Sequence, residues 1–224
     1  MKKILLFVVI CLLTGTTMSY AQLTDEQIKE RKEIRKASKK ELSEKATKTA
    51  RKEAKKLAKE GWMSAPGALP LEKQLDRSYL MQMEYDEDMF PKYIIGEAMS
   101  IGQNYDAAKM QAVELAKQNL AGQIQTEITA LIENNVSNQQ LEAEEAVSIT
   151  QTIMASKSLI SQSIGRTIPL VEVYRDKPNK NKEVRVYIAY NSKMAKAAAK
   201  NAIRQELEKK GENLQKKLDD ILGW

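Results

Sequence analysis

Between Tyr105 and Glu133 an apolar residue returns at every third or fourth place: Ala108, Ala112, Leu115 with Ala116, Leu120, Ile124, Ile128, and Leu131 with Ile132. A strand alternates its side chains with period two, so a run of this length and period predicts an amphipathic helix of about eight turns. One side of it must be buried. The stripe is graded, with alanines first and leucine and isoleucine later. The early half can therefore lie close against a sheet while the later half fills a thicker core. Gly122 costs about 1 kcal/mol in a helix interior, which predicts another backbone close beside it.

A helix that long needs a partner layer, and the flanking sequence supplies strands. Tyr93–Ala98 reads as a short strand, with Gly96 allowing a bulge or a close helix contact. Ile101–Asn104 reads as a turn. Ile168–Arg175 and Glu183–Tyr190 read as a hairpin joined by Asp-Lys-Pro-Asn-Lys-Asn, turn chemistry throughout. Val184, Val186, Ile188 and Tyr190 alternate with Arg185, Tyr187 and Ala189, giving one buried face and one more exposed. From Leu141 to Ile164, Ala146, Ile149, Ile153, Ile160 and Ile164 mark a second helix stopped by Gly165, with strand an open alternative over Val147–Ile153. Ser192 stands as the cap of a C-terminal helix whose stripe is Ala195, Ala198, Ala202, Leu207, Leu214, Leu218 and Ile221. Gly211 is a potential kink, and Trp224 is an apolar residue that should dock. The fold expected is α+β: a small antiparallel sheet, one strand plus a C-terminal hairpin, packed by two long helices and flanked by an N-terminal and a C-terminal helix.

The first 21 residues have a different purpose. Lys2 and Lys3 precede an unbroken apolar run from Ile4 to Leu13, and small residues stand at Ser19 and Ala21 before Gln22. That is the layout of a cleavable secretory signal. A spanning helix needs about 20 apolar residues, twice what is present. Cys11 raises lipid attachment as an alternative but fits it poorly, since it follows Ile10 and lies inside the apolar run. Cleavage removes that cysteine, leaving about 203 residues with no disulfide and no thiol. The expected location is the periplasm or the outer membrane of a Gram-negative bacterium, without a transmembrane span after cleavage.

Charge is unevenly spread. The whole chain carries +6, yet Leu23–Glu60 alone holds 14 Lys or Arg against 8 Asp or Glu. This segment contains no Pro or Gly and reads as one long helix. Thr24 and Gln27 form a capping box and Gly61 a stop. Its apolar stripe (Leu42, Ala46, Ala50, Ala54, Leu57) is mostly alanine, so burial contributes little and a protruding or loosely docked arm is expected. Arg31, Lys32, Arg35, Lys36, Lys48, Arg51, Lys52, Lys55, Lys56 and Lys59 are the candidate contacts for an anionic partner such as headgroups or acidic envelope polymers. Nucleic acid fits poorly because no aromatic side chain is interleaved for base stacking. Residues 61–91 read as a linker, with Trp62 and Met63 as apolar anchors, a helix over Leu71–Tyr85, and Asp86-Glu87-Asp88 as a solvated turn.

No catalytic, cofactor or metal residue emerges. Without histidine, and without cysteine after cleavage, neither Ser-His-Asp nor Cys-His catalysis nor the usual zinc site can be built. Glu97 reads as a strand residue facing water. Ser156-Lys157 and Ser192-Lys193 lack the spacing of a Ser-Lys pair.

The order strand, glycine, alanine-rich helix (Ala107-Ala108-Lys109-Met110-Gln111-Ala112-Val113-Glu114-Leu115-Ala116), further helix and hairpin resembles the periplasmic module of the twenty-kilodalton membrane-associated lipoprotein family. It is similar also to the N-terminal domain of the flagellar assembly protein T family. The resemblance covers residues 92–191 and implies an envelope-associated, non-catalytic role, sometimes in ring-like assemblies. It departs from those families in lacking a lipid-accepting cysteine in its place and in adding the basic and C-terminal helices. The organisation expected is a signal (1–21), a basic arm (22–60), a linker with a short helix (61–91), an α+β core (92–191) and a C-terminal helix (192–224). The partner expected is another envelope protein, a second copy, or an anionic envelope surface.

Overall fold

A computed structural model describes residues 25–87, 89–137, 143–210 and 219. The signal segment, Thr24, Asp88, Gly211, Leu214, Leu218, Ile221 and Trp224 lie outside the described residues. Contacts divide the chain into two units, Met1–Lys45 and Ala46–Trp224.

In the first unit α1 (Asp25–Ser43) opens on Asp25 and Glu26 and has Lys40 in its last turn, charges placed to suit the helix dipole. Ile28 and Leu42 are exposed. The single long basic helix expected from sequence is in fact two helices. Ser43 Oγ donates to Lys40 O at the end of α1. A new helix, α2 (Lys48–Lys59), starts behind Thr47, whose backbone is extended and whose hydroxyl accepts from Ala50 N. Thr47 N donates in turn to Asp76 Oδ1. The second helix is not a loose arm either, because Ala46, Ala50, Ala54 and Leu57 are buried. Alanine contributes little area, but it lets a helix approach closely, and that is how this stripe is used. The contact boundary therefore falls at residue 45, inside the basic segment.

The remaining elements are β1 (Met63–Ser64), α3 (Leu71–Gln82), β2 (Tyr93–Gly102), α4 (Tyr105–Ser137), α5 (Ala143–Ala155), α6 (Lys157–Ser163), β3 (Ile168–Asp176), β4 (Lys182–Asn191) and α7 (Ser192–Lys210). The sheet is antiparallel with order β1-β3-β4-β2. The expected hairpin is its centre, and the two-residue β1 adds a strand that sequence did not reveal. β2 runs through Ile101-Gly102, so the turn expected at Ile101 begins later. It pairs with β4 along its whole length, from Tyr93 opposite Asn191 to Gly102 opposite Lys182.

One face of the sheet meets α4. Ile94 and Ala98 of β2 and Val184, Val186, Ile188 and Tyr190 of β4 pack on Ala108, Ala112, Ala116, Leu120, Ile124 and Ile128, with α5, α6 and α7 completing the core. Gly96 sets the spacing, since a Cβ there would lie 2.5 Å from Ala116 O. This is the close helix contact that its sequence position allowed. Gly122 behaves differently from expectation: a Cβ there would meet the Lys157 side chain at 3.5 Å, not the backbone of another element. The opposite face holds Val171, Val173 and Ala189 beneath α2, α3 and Trp62. The Trp62 ring is flanked by the guanidinium groups of Arg175 and Arg185, 4.5 and 4.8 Å from its centroid. Trp62 is thus the anchor expected, whereas Met63 is exposed.

The helix expected over 141–164 is broken at Ser156, where the hydroxyl donates to Thr152 O. Gln125 Nε2 donates to the carbonyls of Ile153 and Met154, satisfying acceptors near the break. The strand alternative over Val147–Ile153 is not adopted. At α7 the capping oxygen belongs to Asn191, whose Oδ1 accepts from Met194 N. Ser192, expected as the cap, instead donates its hydroxyl to Pro91 O.

Candidate interaction surfaces

The ten candidate cations fall into two groups. Arg31, Lys32, Arg35 and Lys36 are exposed on α1 in the first unit. Lys48, Arg51, Lys52, Lys55, Lys56 and Lys59 are exposed on α2, a helix held by its buried alanines. Glu53 is the one carboxylate within α2. These six cations thus form a dense positive face on a fixed support.

A second surface was not visible in the sequence. Leu80, Met83, Tyr85, Met89 and Phe90 are 53–75% exposed, a concentration of large apolar side chains far above the scattered singles normal on a surface. They sit at the end of α3 and in the loop leading to β2. The loop is closed on itself: Asp86 N donates to Phe90 O, Asp86 Oδ1 accepts from Phe90 N, and Tyr85 bridges to Pro91. Met89 takes a φ of 63°, a left-handed conformation that costs an L-residue about 1–2 kcal/mol. Asp86 also meets Lys193 at 4.0 Å, and Glu84 meets Lys92 at 3.0 Å. Of the acidic turn expected to be merely solvated, Glu87 is exposed, whereas Asp86 is bonded into the loop and helps to frame an apolar tip. The available signal was the density of Met83, Tyr85, Met89 and Phe90 among the acids.

Behind this tip a groove of about 910 Å³ runs between β2, α4 and the start of α7. Its apolar lining includes Phe90, Tyr93, Ile95 and Ala130. Glu97 and Glu127 supply carboxylates, and Lys196 lies 5.5 Å from the Phe90 ring centroid. Glu97 faces outward as expected and interacts with the Tyr187 hydroxyl. Burial first, and then the Glu97 charge, push the Tyr187 phenol above its ordinary value, so it remains a donor. Two carbonyls of β2 are occupied from α4, with Asn119 Nδ2 donating to Glu97 O at 2.5 Å and Gln123 Nε2 to Ile95 O at 2.9 Å.

A polar cluster lies at the other end of α4. Lys109 Nζ is 2.7 Å from Glu172 Oε1, and the Tyr105 hydroxyl donates to the same oxygen. Burial, followed by that hydrogen bond and the carboxylate charge, raises the Tyr105 phenol well above its usual value. Gln74 Oε1 accepts from Glu172 N, and its amide donates to Leu69 O. These bonds tie the 65–69 loop and α3 to β3. Ser156 is buried and bonded to its own helix, and Ser192 is bound to Pro91 O. Neither forms a nucleophile–lysine pair among the described residues. No helix of the described residues is long and apolar enough to cross a membrane.

No family model, no curated protein and no solved structure matches this chain.

Proposed function

We propose that the chain is an exported, non-catalytic cell-envelope protein that works as a protein-interaction module, meeting its partner at the apolar tip and groove beside β2. The observation that carries this reading is the run of Leu80, Met83, Tyr85, Met89 and Phe90, each more than half exposed within one short stretch of chain, with Phe90 also lining the groove. Such a patch loses free energy to water until it is covered. The layout of the first 21 residues and the resemblance of residues 92–191 to envelope modules support the compartment. The test is a photocrosslinking amino acid placed at Met83 or Phe90 in the native host, with Met110, a solitary exposed methionine on α4, as control. One partner band is expected from positions 83 and 90 and not from 110, and it should vanish with Phe90→Asp. Equal labelling at all three positions, or none, overturns the reading. Edman sequencing of the exported chain should begin at Gln22.

A second reading rests on α2. Six exposed cations against one carboxylate on a docked helix suit an acidic envelope polymer or an anionic headgroup surface. Binding of that kind weakens with salt and is lost when Lys52, Lys55 and Lys56 are changed to glutamate. Salt-independent binding refutes it.

A further inference from the structure

We infer that the groove beside β2 receives an amphipathic helix about three turns long that carries lysine or arginine beside its apolar stripe. The inference rests on the reading of this groove as an interaction site. Exposed sheet edges and apolar grooves capture peptides in two different ways, by strand addition or by accepting a helix. Strand addition is obstructed here, because the Ile95 and Glu97 carbonyls already accept from Gln123 and Asn119. A peptide strand would have to displace both amides to gain those acceptors.

The dimensions suit a helix. Gln123, Glu127, Ala130 and Asn134 line one wall at steps of four, three and four residues, a rise of about 16 Å along α4. That is three turns of a partner laid alongside. Phe90, Tyr93 and Ile95 offer its apolar stripe a surface, and the closed Asp86–Phe90 loop holds Phe90 in place before binding.

Charge sets the sign. Glu97 and Glu127 are exposed and line the groove, while Lys196, the one cation among the described residues of its lining, is directed at the Phe90 ring. The nearby Lys92 and Lys193 are engaged by Glu84 and Asp86. A lysine or arginine on the incoming helix adds a counter-charge to Glu127 and to Glu97, whose Tyr187 partner is a neutral hydroxyl, whereas a glutamate there is repelled.

The test uses the mature chain and two synthetic 12-residue stapled helices with the same leucine stripe, one flanked by lysine and one by glutamate, titrated by fluorescence anisotropy. Two exposed ion pairs correspond to about tenfold in affinity. The lysine helix should therefore bind about tenfold tighter, with the preference reversed in Glu97→Lys/Glu127→Lys. Both substitutions are on exposed side chains, and an unchanged thermal melt confirms folding. Equal binding of both helices, abolished by Phe90→Asp, overturns the basic-helix inference but leaves the groove as an interaction site. Binding that Phe90→Asp does not affect overturns both. Absence of helix binding together with Phe90-dependent binding to phosphatidylglycerol vesicles overturns it in favour of a lipid surface.

Discussion

Substituting Gly96 by alanine places a methyl group 2.5 Å from the Ala116 carbonyl oxygen and 2.7 Å from Leu120 Cγ. Ordinary contact begins near 3.4 Å, so β2 and α4 must separate by about 0.9 Å, the difference between those two distances. Leu120 can adjust its rotamer, but the carbonyl is backbone in the middle of a long helix. Asn119 and Gln123 bind α4 to β2 on either side of the contact, so the strain cannot be relieved locally. Separation would loosen Ala112, Ala116 and Leu120, all fully buried. Overpacking costs about 1–3 kcal/mol, and an immovable neighbour puts this case near 3. For a unit of this size that lowers Tm by about 6–12 °C. Gly122→Ala is the internal control. Its new methyl meets Lys157 at an ordinary 3.5 Å, and removing a mid-helix glycine gains up to about 1 kcal/mol. The assay is urea unfolding followed by far-ultraviolet circular dichroism, with the slope m unchanged across the three proteins. The reasoning is refuted if Gly96→Ala lies within about 0.5 kcal/mol of the parent, or if Gly122→Ala is the more damaging of the two.

Two further outcomes follow from buried groups on the opposite face of the sheet. Trp62→Ala removes a ring that is 2% exposed and flanked by two arginines; urea unfolding should show a loss of about 3–5 kcal/mol. Burial opposes ionisation of Glu183, but the Arg175 hydrogen bond at 2.5 Å and the charges of Arg175 and Lys177 outweigh it, holding the carboxyl below its ordinary value. A depressed folded-state pKa stabilises above the unfolded value of about 4.3 and is lost as pH falls through the folded one. Urea midpoints measured from pH 7 to pH 2.5 should therefore drop more steeply for the parent than for Glu183→Gln, the two curves converging in acid. Parallel curves would remove Glu183 from the account.

The residues themselves determined the layers. The stripe from Ala108 to Ile132 could only be a helix with one buried side, and the alternation Val184, Val186, Ile188, Tyr190 could only be a strand with one buried face. Both patterns are local consequences of backbone period, so they survive in the sequence. Gly96 also announced a close approach, because a missing side chain is a local fact. What the tertiary structure decided was everything that depends on a neighbour remote in the chain. The basic segment divides at residues 44–47 because Asp76, some thirty positions on, accepts from Thr47 N and because the alanine stripe finds a surface that its weak hydrophobicity did not promise. Asn191 takes the cap expected of Ser192, whose hydroxyl is bonded to Pro91 O, a residue remote in the chain. The apolar tip at Met83–Phe90 reads as an acidic turn in one dimension. Only when Asp86 bonds back to Phe90, and Lys92 and Lys193 engage the acids, do the carboxylates become the frame and the apolar side chains the exposed surface. Periodicity is written residue by residue, whereas exposure is a property of what the rest of the chain leaves uncovered.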